Sequence, residues 1–383
     1  MHKILAYSKK KLYLCTLNMR KSIIFIVLIA WLSLGSASAQ VSSAGRSVFS
    51  FMSLPTSSRI NALGGSNVSL SDADISMGMC NPALLHNETH MVLQLNYSYY
   101  LPGTMFGSAL YGHNFRDIQS LRQDGAPERP NYFAVGVHYL DYGTMKYADE
   151  YGNITGGKFG ARDILIDVMY ARQLHPCWKV GVTLKPVYSI YESYSSFAIG
   201  ADVGAHFQTP DSTFQMGLVL ANIGWQLKGF YSAEGGSNHE MLPLNLQLGL
   251  TYRVKHAPLR FHVQFHNLQT WNLRYEWTSL DKDPVKGEII SHDVPWYDML
   301  FRHTIFSLEL VPKSERFYLA ISYNHRRRAE LNLTDQRSIA GFAFGAGVRI
   351  KQARIGFALS QLTKSNFSYQ VGLTLDINSL MKQ

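Results

Sequence analysis

The side chains able to carry chemistry lie along the chain without the spacing that catalysis needs. His239-Glu240 resembles the start of an H-E-x-x-H zinc motif, but the fifth position is Pro243, so the second ligand is missing. His262 and His266 fall on one face of an alternating stretch. At about 3.4 Å per residue they stand ~13 Å apart, too far to share one metal, and they read as polar filler. Asp163 and Asp167 share a face, with Arg172 nearby, and could form an acid–base pair. A wet interior accepts such charges without any reaction. There is no G-x-S-x-G elbow and no Walker A loop. Gly341, Gly345 and Gly347 alternate with Phe342, Phe344 and Val348, outside any strand–turn–helix context. The expectation is a protein that is not an enzyme, with no catalytic residue, cofactor or metal.

The elements that must hold these residues are strands. Hydrophobic residues make up 46% of the 383 and charged residues 16%, against roughly 25% charged in ordinary domains. Aromatics reach 13%, with 22 Tyr, which excludes disorder and coiled coil. Mean hydropathy is -0.08 and only one long apolar run occurs, near the N-terminus, which excludes a polytopic helical membrane protein. The net charge of +9 is concentrated at one end: residues 1–39 hold six Lys and Arg and no acid, and removing them leaves +3. Nucleic-acid binding loses most of its support.

That end reads as an address. Lys21 precedes the apolar run 23–32, and small residues lead to Ala37-Ser38-Ala39, so 1–39 is expected to be a signal peptide with the mature chain beginning at Gln40. Translation could start at Met1 or Met19, since Met19-Arg20-Lys21 alone opens a compact signal. No Cys follows the cleavage site, so a lipid anchor is not expected. Cys80 and Cys177 remain in an exported chain, and one bridge between them is left open.

From residue 91 the chain alternates. Leu244, Leu246, Leu248 and Leu250 stand against Asn245, Gln247 and Gly249, and the same rhythm returns at 259–267 and 367–377. The segments are 91–99, 105–115, 132–141, 162–172, 178–190, 196–207, 213–222, 243–254, 259–267, 303–311, 316–325, 339–350, 353–361 and 367–377. Fourteen is even, and most segments are near ten residues, as in outer-membrane barrels. Connections after even strands are short (173–177, 208–212, 255–258, 312–315, 351–352), and several after odd strands are long (142–161, 223–242, 268–302, 326–338). That asymmetry puts the short rim in the periplasm, with 116–131 as the exception. Tyr97, Tyr99, Phe115, Tyr170, Tyr188 and Trp225 would form interfacial girdles. A soluble sandwich also alternates but would turn its apolar face inward. The reading is all-β: a fourteen-stranded antiparallel transmembrane β-barrel over 91–383, with Leu246, Leu248 and Leu250 facing lipid and Gln247 and Gly249 facing the lumen.

Residues 40–90 do not alternate. Short helical turns broken by Gly64-Gly65 and Pro82 are expected, folded into the lumen as a plug, because a linker would be more polar. The long loop 268–302 carries Trp271, Trp277 and Trp296 with Tyr275 and Tyr297. These are either anchors for a protein partner or local packing over the barrel mouth.

Ala62-Leu63-Gly64-Gly65, Asn81-Pro82-Ala83-Leu84-Leu85, Tyr139-Leu140-Asp141-Tyr142-Gly143, the stretch Tyr191–Ser196 with Ala198–Asp202, and His266–Arg274 resemble the PorQ family of the type IX secretion system, kin of PorV and of the FadL-like barrels. The resemblance implies a FadL-like barrel in the Gram-negative outer membrane, with a plug motif of Gly64, Gly65, Asn81, Pro82 and Ala83. It also implies a scaffold for the cell-surface attachment complex, with a PorZ-like surface protein, a PorV-like barrel and a PorU-like sortase as partners. The alternative is a FadL-like passive channel for hydrophobic solutes. The C-terminal Met381-Lys382-Gln383 departs from the aromatic end of many outer-membrane proteins.

Overall fold

The computed structural model describes residues 48–115, 130–230, 239–273, 295–331, 339–363 and 366–381. The expected signal peptide and the start at Gln40 lie outside them, as does most of 116–131.

Fourteen antiparallel strands close into one barrel. They are β1 (Val92–Tyr99), β2 (Met105–Phe115), β3 (Asn131–Ala148), β4 (Ile154–His175), β5 (Trp178–Tyr191), β6 (Tyr194–Gln208) and β7 (Phe214–Lys228). The second half is β8 (Asn245–Arg253), β9 (Leu259–Phe265), β10 (Thr304–Leu310), β11 (Phe317–Asn324), β12 (Phe342–Ile350), β13 (Ala353–Ser360) and β14 (Ser368–Asp376). Each strand pairs with its sequence neighbours, and β1 closes on β14 with Val92 opposite Asp376. Closure leaves no sheet edge, which a bilayer requires because lipid offers nothing to an unpaired backbone group.

The faces are inside-out relative to a soluble sheet. Leu95, Val135, Val182, Leu184, Phe261, Leu319 and Val371 point outward, while Gln94, His138, Lys185, Asp202, Gln264, Glu309 and Gln370 are buried inside. A soluble sandwich, which would enclose its apolar face, does not fit. In β8, Gln247 and Gly249 are buried inward, whereas Leu246, Leu248 and Leu250 face out. Outward aromatics adjoin near the rims: Phe115, Phe133 and Tyr170 form a chain at 5.0 and 4.9 Å, and Tyr99 stacks on Tyr369 at 4.8 Å.

All four of the expected long loops carry more regular structure than expected. Residues 142–161 are not a free loop: β3 and β4 continue to Ala148 and Ile154 as a ribbon past their neighbours, with register shifts at Asp141/Thr144 and Lys146/Ala148. Its turn is held by Asp149, whose carboxylate accepts from the Tyr151 and Asn153 N–H groups. β7 runs past residue 222, because the inward parity changes at a bulge. Gln215, Val219 and Ala221 face in before it, Asn222 and Gln226 after it, and Asn222 has φ 60°. The connection 268–302 ends in a helix, α3 (Trp296–Arg302), and 326–338 begins in another, α4 (His325–Leu331). Each is steadied by an i,i+4 ion pair, Asp298–Arg302 at 2.7 Å and Arg326–Glu330 at 2.6 Å.

Residues 48–91 run through the lumen. They contain 3₁₀ turns at Ser50–Ser53, Pro82–Leu84 and Asn87–Thr89, and two short helices, α1 (Ser58–Ala62) and α2 (Met77–Cys80). Ser57 caps α1 by accepting the Ile60 N–H at 3.2 Å. Ile60, Leu63, Leu70 and Met77 pack on Tyr318, Ala320 and Ala358 of the wall, and Ile75 and Leu85 pack near Leu110, Tyr132 and Met169. The core of this protein is therefore inside the barrel, between strand and lumenal segment.

Candidate functional site

Two seats hold the lumenal segment. The first is Asn81-Pro82-Ala83. Asn81 accepts the Ala83 N–H at 3.0 Å and donates to the Val68 carbonyl at 2.8 Å and to the Ala205 carbonyl of β6 at 3.2 Å. Pro82 opens the turn, where its missing N–H costs nothing. The wall beneath is glycine: a Cβ at Gly181 would stand 2.7 Å from the Ala83 nitrogen, and one at Gly204 would collide with the Asn81 side chain. The turn after α1 is Gly64-Gly65, with φ of +92° and +106°, a conformation that side chains disfavour. The Gly64 carbonyl accepts from Asn324 Nδ2 and Arg327 Nη2, each at 3.4 Å.

The second seat is ionic. Arg59 of α1 pairs with Asp72 at 2.5 Å, Asp74 at 3.9 Å and Glu309 of β10 at 3.1 Å, and its guanidinium lies 4.9 Å from the Tyr318 ring centroid. Arg260 of β9 completes the cluster with Asp72 at 2.9 Å and Glu315 at 3.2 Å. His262 reaches Glu309 at 3.2 Å and Thr251 at 2.9 Å, which makes it a member of this network. Breaking such a buried set from one side costs about 3–5 kcal/mol, because the partner charge is left bare. The sequence reading missed Arg59, Asp72, Arg260 and Glu309. The available signal was Glu309 at lumenal parity between Leu308 and Leu310.

The two acids serve different partners. Asp163 accepts from Ser189, Tyr142 and Tyr191, Asp167 accepts from His138, and exposed Arg172 points out of the barrel, where its parity puts it. Cys80 is a free thiol, so it forms no bridge with Cys177. His266 lies beside His303, with ring centroids 6.4 Å apart, away from His262. Among the described residues no group of three His, Cys, Asp or Glu is placed to hold a metal.

Among the described residues, two sizeable cavities lie on opposite sides of the segment. One of about 720 Å³ opens toward the long loops, between Met52, Ile60, Gly64 and Met79 of the segment and Leu242, Leu273 and Arg327 of the rim. The other, about 410 Å³, opens at the short turns, between Ser71, Asp72 and His86 on one side and Lys179, Arg253 and Arg260 on the other. At the long-loop rim Trp271 is 56% exposed and stacks on His303 at 5.3 Å. Trp296 and Tyr297 open α3, 70% and 54% exposed, and touch edge to face at 6.2 Å. Tyr275 and Trp277 lie outside the described residues. On the same helix Asp298 accepts from Arg302 and His325, both at 2.7 Å. Partial burial opposes its ionisation, but the hydrogen bonds from His325 and Arg302 outweigh burial and hold the carboxyl below its usual value.

A closed ladder, an apolar exterior and a polar, filled lumen define an outer-membrane type of transmembrane β-barrel. No family model and no curated protein matches the chain. Among solved structures it is similar to a TodX monoaromatic hydrocarbon channel mutant, at 12% identity over 83% of this chain and 96% of that one, with a TM-score of 0.46. It is similar to a Pseudomonas aeruginosa FadL homologue at 12% identity over 84% and 98%, with a TM-score of 0.41. The KdgM porin aligns at 7% identity over 74% and 98%, with a TM-score of 0.30. The likeness is one of barrel architecture.

Proposed function

We propose that this chain is a non-enzymatic, plugged outer-membrane channel, exported through its N-terminal signal, that admits small solutes of apolar character when residues 48–91 shift in the lumen. The observation that carries the reading is the pair of cavities divided by one segment. The larger has Met52, Ile60, Met79, Leu242 and Leu273 in its lining, so an apolar solute finds contact there. The test locks the segment to the wall. Ser66 Oγ donates to Gln247 Oε1 at 2.7 Å, so Ser66→Cys with Gln247→Cys, in a Cys80→Ser background, gives a reversible tether. Uptake of a monoaromatic hydrocarbon, the cargo named for the TodX channel, should stop in the oxidised barrel and return on reduction. Equal uptake in both states removes the reading.

A second reading is favoured by Trp271, Trp296 and Tyr297, which stand exposed on the long-loop rim. As a type IX scaffold of the PorQ kind, the rim would grip a PorZ-like surface protein beside PorV-like and PorU-like partners. Trp271, Trp277, Trp296, Tyr275 and Tyr297 would then be the anchors. Shortening 268–302 should leave the barrel in the membrane and release the partner from the cell. A partner still retained at normal barrel level excludes this role for the loop.

A further inference from the structure

Arg327 is half-buried at the long-loop end of the lumen and, like Arg354 at the other end, has a buried Nη1 with no partner. Arg59 and Arg260 each meet carboxylates, and Arg326 is paired with Glu330, but none of the ion pairs among the described residues includes Arg327. Among the described residues its side chain makes one hydrogen bond, to the Gly64 carbonyl at 3.4 Å. A guanidinium offers five donors, and leaving the buried Nη1 pair unmet is costly. The neighbouring His266 is 8% exposed, and its Nε2 also lacks a partner. Both residues line the 720 Å³ cavity. The cavity as a whole is mixed in charge, with Lys185 and Arg326 beside Asp202, Glu240 and Glu330. At His266, however, burial first, then Arg326, His303 and Arg327, push the ring down to about 3, so it stands neutral with one ring N–H to give. Burial also pulls Arg327 down to about 10, with only Tyr100 and Glu330 acting to raise it, and Glu330 is already held by Arg326.

We infer that the long-loop cavity contains a binding site for a compact oxyanion, seated on the unpaired faces of Arg327 and His266 above the Gly64 turn. The oxyanion is either free, as inorganic phosphate, or the head of an amphiphile whose tail lies against Met52, Ile60 and Leu242. That this occupant is the transported solute rests on the channel reading; that the site binds an oxyanion does not.

Calorimetric titration of the full barrel in a nonionic detergent tests the site, with inorganic phosphate and dodecyl phosphate as probes. Saturable binding of at least one probe is expected, weakened about tenfold or more in Arg327→Gln, since a charge-assisted hydrogen bond carries roughly that much affinity. Arg327→Lys should retain part of it. Binding of phosphate alone assigns a free anion, and binding of dodecyl phosphate only assigns a headgroup. No saturable binding of either, or equal binding in Arg327→Gln, overturns the site. Should that variant fail to fold, the imidazole nitrogen resonances of the unaltered protein decide. The His266 signals, assigned with His266→Phe, must shift on addition of the bound probe, and unmoved signals overturn the site. Tracer flux through barrels in liposomes is measured separately: binding without flux sinks the channel reading and leaves the site standing.

Discussion

The two seats of the lumenal segment solve one problem by opposite means. On the β9–β10 side Arg59 is drawn to the wall by Glu309, and Asp72 of the same segment by Arg260, while Arg59 and Asp72 also pair with each other. On the β5–β6 side Asn81 and Pro82 reach the wall because Gly181 and Gly204 leave room for backbone and amide. The ionic seat is strong only while every partner is present, since each charge was removed from water to make it. The glycine seat depends on shape and on neutral hydrogen bonds, which contribute about 0.5–1.5 kcal/mol each. On the proposed channel reading, in which the barrel holds the segment and also releases it, the ionic seat acts as an all-or-none latch and the glycine seat as a register stop.

The sharpest way to break this contrast is Arg59→Ala. It strips the only cation of the segment from Asp72, Asp74 and Glu309, and should loosen the seat by about 3–5 kcal/mol. Limited proteolysis should then cut within 48–91 while the barrel stays heat-modifiable on gels. Protection equal to the unaltered chain would mean that the ionic seat holds nothing.

Asn81→Ala should cost less, about 1–3 kcal/mol, because it leaves the Ala83 N–H and two carbonyls unmet in a buried site. The same protease assay reads it, and an effect as large as that of Arg59→Ala would erase the distinction between the seats. Gly204→Val should act in the same direction, by displacing the Asn81 side chain.

The smallest effect belongs to the rim. The Asp298 carboxyl is held below its usual value, so its stabilising share is complete above the unfolded carboxyl range near 4 and fades as pH falls through the lower folded value. Partly exposed pairs contribute about 1 kcal/mol or less. Hydrogen exchange across α3 should therefore rise on acidification below about pH 4. In Asp298→Asn that rise should be absent. A rise of equal size in the variant would assign the acid effect to other groups.

Strand count and facing were legible because the side-chain period of a strand is local. Each of the fourteen alternating stretches overlaps a strand of the barrel, and Leu248 and Gln247 face the solvents their types predict. Where alternation changes parity, the sequence misleads: β7 was expected to end near Ala221-Asn222, where the bulge lies, yet it continues to Lys228. The β3–β4 ribbon was hidden for a related reason, since its residues are exposed on both faces and carry no in-out signal.

The amino-acid sequence by itself determined the β class, the number of crossings and the apolar exterior, because those depend on residues two apart along the chain. Only the tertiary structure decided which charges meet. Arg59 and Glu309 are 250 residues apart, and His262 becomes a partner of Glu309 only when β9 and β10 lie side by side. The unmet donors of Arg327 and His266 are likewise a property of the assembled lumen. A guanidinium is left without a carboxylate by the placement of α4 over the Gly64 turn, and no spacing in the chain encodes that placement.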